Sequence, residues 1–476
     1  MAQVISSDVE ALRTAIAGQV WLPEDPGYDE ARTVWNADID RHPAVVVRCT
    51  STSDVSAAVG FARRRDLEIA VRGGAHSTAG NCVVEGGLQL DLSGMRDVTV
   101  DPVARRALVG GGATLGDVDA AAQAHGLAVP AGAISHTGVG GLTLGGGMGW
   151  LTRRAGLSID KLVSAEVVTA DGRILQASER DNPDLFWAIR GGGGNFGVVT
   201  SFEFALHPVG PLVQFALLFW SVERTADVLR LAQDLNTTLP AEDVYIMAVG
   251  VNAPPAPFVP EEHRLRPGIV LLITGFGSAE EHGAVVARVR EQLPPLFDFV
   301  TPMPFVELQK MFDEANAFGV FAYDKAVYLG ELSEGAIAVV AEHLPHKTSP
   351  LSVLFFYRLD GAYSEVGEDQ TAFGGGRSPR YCVFLIAIAD SPDRLGADRQ
   401  WVRTLWGALQ PHALGSGSYL NGEAEFVEDR VRNSFGPAKY DRLAQIKAIY
   451  DPDNVFHLNA NIPPATQPAN QQSPDG

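Results

Sequence analysis

The chain has 476 residues, 46% hydrophobic and 20% charged, with a formal net charge of −20. That composition supports a large buried core and more than one domain or lobe. A surface this acidic repels phosphate backbones and anionic lipid, which excludes nucleic acid and membrane surfaces as expected partners. Fifty glycines and 29 prolines are spread along the chain rather than gathered into one repeat, so a collagen-like or wholly disordered chain is excluded too.

The opening MAQVISSDVEALRTAIAG has no basic leader, and Asp, Glu and Arg interrupt its apolar residues. It does not read as a secretory signal. No run of about 20 uninterrupted apolar residues offers a membrane span. Cys49, Cys82 and Cys382 are widely scattered with no CxxC, which gives neither a disulfide framework nor a zinc site. The expectation is a cytoplasmic protein.

VVVRC predicts a strand and SDVSAAVGFARRR a helix, with Ser53 or Asp54 as its N-cap. LEIAV is a second short strand, running directly into RGGAHS. LQLDLS, VTVD and RRALVGGG read as further short strands, and Leu115 to Ala124 returns to helical spacing. From Val129 to Gly149 the glycines are too dense for an ordinary helix or strand and predict a loop whose backbone approaches something closely. SAEVVTADG is a strand and turn, NPDLFWAIRGGGGNFG a short helix ending in glycines, and VVTSFEFAL an alternating strand. After Pro208 the glycine clusters thin out. VQFALLFWSV, GIVLLITGFG and YCVFLIAIA predict a large sheet, interleaved with the helical ERTADVLRLAQDL and EEHGAVVARVREQL. APPAPFVPEEH and PPLFDFVTPMP read as proline-rich connections, and PAKYDRLAQIKAIY as a helix before DPDNVFHLNANIPP.

A formal GxGxxG stands at Gly192, Gly194 and Gly197, but a helix precedes it and a strand follows. A dinucleotide fold needs the opposite order, so that reading fails. P-loop, HExxH and GxSxG patterns are absent from the sequence, and His343 with His346 lacks a third ligand nearby. Two glycine clusters remain, Arg72-Gly73-Gly74-Ala75-His76-Ser77 and Gly138 through Gly149. Consecutive N–H groups at such turns can converge on an anion, so phosphate nest and tight turn stay open as alternatives for the first cluster.

In this order, VRGGAHS, GGLQLDLSGM, AVPAGAISHTGVGGLTLGGGMGWLTRRAGLSIDKL, VVTADGR, NPDLFWAIRGGGGNFGVVTSFEF and YDPDNVFHLNANIPP resemble the berberine bridge enzyme-like family of FAD-linked oxidases. That family lies within the vanillyl-alcohol oxidase superfamily, and the match spans close to half the chain. The resemblance implies an α+β fold: a two-lobed PCMH-type FAD-binding domain with an inserted antiparallel-sheet α/β substrate domain. The expected division is 1–207 for the N-terminal part of the FAD domain, 208–414 for the substrate domain, 415–464 for the tail that completes the FAD domain, and 465–476 as a disordered end.

The resemblance also implies roles. His76 is the expected covalent link to the flavin C8α, surrounded by Arg72, Gly73, Gly74, Ala75 and Ser77. Gly132, His136, Thr137, Gly138, Gly140, Gly141, Gly145, Gly146, Gly149, Val199, Asn459 and Asn461 complete the expected cofactor site. Relatives with a second link carry a cysteine where this chain has Ile134, with none of its three cysteines nearby in sequence, so a single histidyl link is expected. Thr137 occupies the position that controls dioxygen access, and its small size favours an oxidase. Tyr419 and Asn421 match the start of a Y-x-N-Y segment whose second Tyr is here Gly422, which leaves Tyr419 as the expected base. Tyr357, Tyr363, Tyr381 and Asp360 are alternatives on the substrate domain.

The implied reaction moves a hydride from a small alcohol, amine or heterocycle to FAD and then to dioxygen, releasing hydrogen peroxide. An oxidative tailoring enzyme that closes a ring or forms a double bond, and a flavoprotein that binds a small molecule without turnover, are the alternatives. No metal is expected.

Overall fold

A computed structural model describes residues 6–466. Its first lobe is a four-stranded sheet in which Val45–Arg48, Leu88–Asp91 and Ile69–Arg72 run parallel and Gln19–Trp21 adds an antiparallel edge. The crossover helix Thr52–Arg64 buries Val55, Ala58, Val59, Phe61 and Ala62 against this sheet. Its N-cap is Ser51, whose hydroxyl accepts from the Asp54 amide, rather than the expected Ser53 or Asp54. Asp54 instead accepts from the amides of Ala17, just past the helix Ser6–Ala15, and of Thr50, just past the strand Val45–Arg48.

The second lobe is a five-stranded antiparallel sheet ordered Val98–Asp101, Arg106–Gly110, Val198–Ala205, Leu162–Val168, Ile174–Ser178. Phe202 and Phe204 on its central strand pack with the helices Leu115–Gln123, Pro183–Ile189 and Pro437–Tyr450 into one core. The last of these helices ties the tail to the lobe. Its Lys447 is fully buried and donates to Asp451 at 2.6 Å, to the Asn195 carbonyl at 2.6 Å and to the Phe456 carbonyl at 3.0 Å. Three oxygen acceptors satisfy the ammonium, which makes its burial tolerable.

A seven-stranded antiparallel sheet forms from segments between Leu212 and Ala389, ordered Phe297–Pro304, Leu212–Ser221, Pro267–Gly275, Val244–Asn252, Val353–Leu359, Arg380–Ala389, Phe321–Leu329. One face packs against the helices Thr225–Thr238, Ala279–Gln292, Glu334–His343 and Pro392–Leu409. The other carries Phe215, Tyr245, Phe355, Tyr357 and Tyr328 towards Trp150 and Leu151 of the glycine-rich region. Of the two proline-rich connections, PPLFDFVTPMP contains the edge strand Phe297–Pro304, where Pro302 and Pro304 cost no ladder bond on the solvent side.

The glycine-dense stretch also holds a six-residue helix, Val139–Leu144, where an irregular loop was expected. Most of the expected disordered end lies outside the described residues. Ala465, at its start, is ordered and donates its amide to Ala444 at 2.9 Å. Among the described residues no helix is long and apolar enough to cross a membrane, and no His/Cys/Asp/Glu group could hold a metal.

Candidate active site

The strand Ile69–Arg72 ends at Gly73-Gly74-Ala75-His76, and the helix Val139–Leu144 begins after Thr137-Gly138. These two turns touch backbone to backbone. A Cβ on Gly74 would stand 2.2 Å from the Gly138 nitrogen, and one on Gly138 would stand 2.2 Å from the Gly74 nitrogen. Neither position can carry a side chain, because the atoms it would meet are main chain. Ala75 follows in the left-handed region, with φ 58°, held by its carbonyl accepting from the Trp35 amide at 3.0 Å. A non-glycine residue kept there marks a strained turn beside His76.

Together the turns wall a cavity of about 390 Å³. Gly73, Gly74, Ala75, His76, Ser77, Thr137, Gly138, Gly140, Gly141, Gly145, Val199, Asn421 and Asn459 all line it. Asn461 stands just beyond the lining. His136 reaches the cavity through His76, whose Nε2 is 2.7 Å from His136 Nδ1.

Four further expected residues serve the scaffold. Arg72 pairs with the buried Asp91 at 3.1 Å, and the space beside Gly149 is taken by the Ala131 carbonyl. Gly132 is crowded by the Leu142 and Leu115 side chains, and Gly146 by Phe373 and Tyr419.

The cavity has a third glycine wall that the rejected Rossmann motif concealed. Gly191 through Gly194 line it, with φ of 119° at Gly191 and 70° at Gly193. Asn195 ties this wall to the tail by donating to the Gly192 carbonyl at 2.8 Å and the Ala460 carbonyl at 3.2 Å.

The donor set suits a flavin dinucleotide. Three glycine turns offer unobstructed backbone to a pyrophosphate, the known use of such nests. Among the described residues lining the cavity there is no Lys or Arg, so those amides would hold the anion in a chain of net charge −20. Two residues of the lining keep a buried polar atom without a partner, Asn459 Oδ1 and Asp324 Oδ1, and two residues adjoining it do so as well, Asn461 Oδ1 and His136 Nε2. Orphaned buried groups in one place point to a polar ligand that completes them.

Tyr419 does not face the cavity. It is buried, its hydroxyl accepts from the Gly147 amide at 3.0 Å and from Asn421 Nδ2 at 3.1 Å, and burial pushes its pKa well up. It holds the glycine turn in place instead. Gly422 is explained by the same packing, since a side chain there would start 2.6 Å from the Phe384 ring. The alternatives fare no better. Asp360 is bound to Arg153 and Arg358, the Tyr363 hydroxyl donates to the Gly376 carbonyl, Tyr381 lies on the helix-covered face, and Tyr357 is buried beside Phe384.

Sequence reasoning missed Asp324, from the edge strand Phe321–Leu329. It lines the cavity beside Phe384 and Ile386 of the neighbouring strand, and its Oδ2 accepts from Thr78 Oγ1, two residues beyond His76, at 2.8 Å. Oδ1 has no partner. Burial raises its pKa to about 7, with the Glu423 carboxylate pushing in the same direction. Glu423, the other carboxylate on the wall, is committed to Lys325 at 3.1 Å and to Ser418 at 2.5 Å. The available signal was a charged Asp-Lys pair inside the apolar run FAYDKAVYL.

Cys82 corrects a second expectation, for although distant from Ile134 in sequence it lines the same cavity. Burial raises its thiol pKa, which disfavours the reactive thiolate.

The FAD-binding-domain family profile matches residues 43–178, and the berberine and berberine-like profile matches 418–463. The uncharacterized FAD-linked oxidoreductase YgaK of Bacillus subtilis is 31% identical over 459 residues, covering 95% of this chain and 98% of its own length. The (R)-6-hydroxynicotine oxidase of Paenarthrobacter nicotinovorans is 29% identical over 465 residues, covering 94% and 97%. The crystal structure of 6-hydroxy-D-nicotine oxidase from Arthrobacter nicotinovorans superposes with a TM-score of 0.82 at 28% identity, over 94% of this chain and 98% of that one. With both profiles falling on the segments that wall the cavity, and full-length likeness at this level, the chain belongs to the berberine bridge enzyme-like family of FAD-linked oxidoreductases.

Proposed function

We propose that the protein is an oxidase of a small, largely apolar alcohol, amine or nitrogen heterocycle, with its FAD held through His76 alone. Asp324 carries this reading: it is a carboxyl group on the cavity wall with one oxygen free and a pKa raised to about 7. A base of that strength suits removal of an O–H or N–H proton near neutral pH. Bound FAD supplies the hydride acceptor. The chain supplies the rest. Asp324 takes the heteroatom proton at Oδ1 while Thr78 holds Oδ2 in place. Phe384, Ile386, Leu420 and Phe426 exclude water and orient an apolar body against the glycine face.

No cationic side chain stands on that wall among the described residues, while Asp324 and Glu423 do, which disfavours anionic substrates. The likeness to 6-hydroxynicotine oxidase supports an amine-bearing heterocycle. Thr137, small and on the lining, supports dioxygen access.

Mixing the purified protein anaerobically with hydroxylated heterocycles and amines is expected to bleach the flavin absorbance. Admitting air should restore it with release of one hydrogen peroxide per turnover. Bleaching without fast recovery would make the protein a dehydrogenase, and binding without bleaching would reject catalysis. For attachment, His76→Ala is expected to lose all acid-stable flavin, and a flavin peptide from the parent chain should contain His76 and not Cys82. A Cys82-linked flavin would overturn the single link.

A further inference from the structure

The imidazole of His136 has no part in the substrate reaction described above, yet it is locked onto His76. The Nε2 to Nδ1 distance is 2.7 Å, with ring centroids 4.7 Å apart. Trp35 stacks on His76 with centroids 4.7 Å apart, and Phe318 packs against both imidazoles at 6.0 and 5.8 Å. Trp35 and the half-exposed Phe318 pack on the pair, and the short nitrogen–nitrogen contact sets the rings' relative orientation. His76 is neutral, since burial and its neighbour lower its pKa to about 3.

A neutral imidazole carries its hydrogen on one nitrogen only, so two arrangements are open. If the hydrogen is on Nδ1, the remaining lone pair of His76 faces His136 and is spent there. If it is on Nε2, that N–H donates to His136 and the Nδ1 lone pair is free to attack a carbon. Attachment requires the second arrangement. His136 contributes another observation, because its own Nε2 is buried without a partner. With Nδ1 accepting from His76, that Nε2 carries the ring hydrogen of neutral His136, and among the described residues no group accepts it.

We infer that His136 is a positioning and proton-accepting residue for the covalent loading of the flavin, drawing the Nε2 proton from His76 as Nδ1 bonds to the C8α carbon. The inference rests on the proposed attachment at His76. In the step the N–C bond forms and one C–H bond of the methyl group breaks, its hydrogen leaving as a proton. The Nε2–H bond breaks, with that proton passing to His136 Nδ1. Two electrons remain on the isoalloxazine until dioxygen accepts them with two protons, giving hydrogen peroxide. Afterwards the short contact survives with its direction reversed, His136 Nδ1–H donating to the His76 Nε2 lone pair.

The test uses chain produced under riboflavin limitation and then given FAD, with covalent loading read as fluorescence of the acid-precipitated protein. The parent chain should load, and His76→Ala should bind FAD without linking it. His136→Asn keeps an acceptor near the Nδ1 position but has no basic nitrogen, so it should bind FAD and load about 100-fold more slowly. His136→Ala should show the same loss, and added imidazole should restore loading, which a packing role could not produce.

Loading of His136→Asn within about threefold of the parent overturns the inference, as does an FAD-binding His136→Ala that imidazole leaves unchanged. If His136→Ala fails to bind FAD, the Asn variant decides. A parent chain that never loads, or a His76→Ala variant that does, overturns the attachment itself. Those patterns are distinct from a failure confined to His136.

Discussion

Replacing Asp324 by Asn is expected to lower kcat by about 10²- to 10⁴-fold, the usual contribution of a positioned base. The flavin spectrum and covalent loading should be unchanged, because Asp324 lies on the seven-stranded sheet and touches the turn after His76 only through Thr78. In the parent enzyme kcat/KM should rise with pH as Asp324 ionises near pH 7 and then level off, and the Asn variant should lose that limb. Stability should move the other way. The folded protein holds this proton more tightly than the unfolded chain, whose Asp titrates near 3.9. The favourable contribution is therefore complete below about pH 4 and is lost as pH rises through about 7. At pH 8 the Asn variant should melt at or above the parent temperature, while at pH 4 the two should converge. A kcat within threefold of the parent would remove Asp324 from the mechanism, whatever the melting curves show.

How legible the site was depended on whether its chemistry lay in local sequence or in contacts between distant segments. The clusters at Gly73-Gly74 and Gly138 through Gly149 stood out because glycine density has no cheap structural use. His76 stood out only through the segment around it. Their mutual reason, the contact between Gly74 and Gly138, joins residues 64 apart and leaves no trace in either segment. The third wall at Gly191–Gly194 was visible as a motif and correctly refused as a Rossmann turn, since the strand Val198–Ala205 follows it, but its place beside Asn459 was not foreseeable. Cys82 shows the same limit, being close to the cavity in space and far from Ile134 in sequence.

Asp324 was hidden by a different cause. It sits on an edge strand, beside Lys325, in a run whose neighbours alternate between two buried faces. An Asp-Lys pair on an edge strand ordinarily guards against strand pairing. Only the cover provided by the FAD lobe, through Thr78, makes this carboxyl buried and unpaired. Tyr419 was the opposite case. It matched a motif position, yet the position three residues before the missing Tyr holds the Gly147 turn, and Phe384 fills the space at Gly422. Three strands of the large sheet were readable as long apolar runs, Val244–Asn252, Phe321–Leu329 and Val353–Leu359 were not singled out, and Phe297–Pro304 read as a connection because proline signals one unless the strand is known to be an edge.

The largest stability effect is expected at Arg153. It leaves the short helix Thr152–Ala155 at the end of the glycine-rich region and reaches across to the seven-stranded sheet, with 3% of its side chain exposed. Its Nε donates to Asp360 at 2.5 Å, Nη1 to Asn236 Oδ1 at 3.1 Å and Nη2 to the Asn236 carbonyl at 3.0 Å. One guanidinium thus joins the flavin-side loop to the helix Thr225–Thr238 and to the end of the strand Val353–Leu359. Arg153→Met keeps the aliphatic stem but leaves Asn236 short of donors and Asp360 with Arg358 alone, at 2.7 Å. Breaking a buried pair from one side costs about 3–5 kcal/mol. Because Arg358 still neutralises part of the charge, the lower end of that range is expected. Removing both charges with Arg153→Met and Asp360→Asn should cost less than Arg153→Met alone, since no uncompensated carboxylate then remains. The measurement is calorimetric unfolding of the flavin-loaded protein. Arg153→Met should lower the melting temperature and split or broaden the transition, as the two sides lose their shared pin and unfold less cooperatively. An unaltered single transition would show that the apolar contact of Trp150 and Leu151 with Phe215 and Tyr245 suffices to join them, and that the ion pair adds orientation without stability.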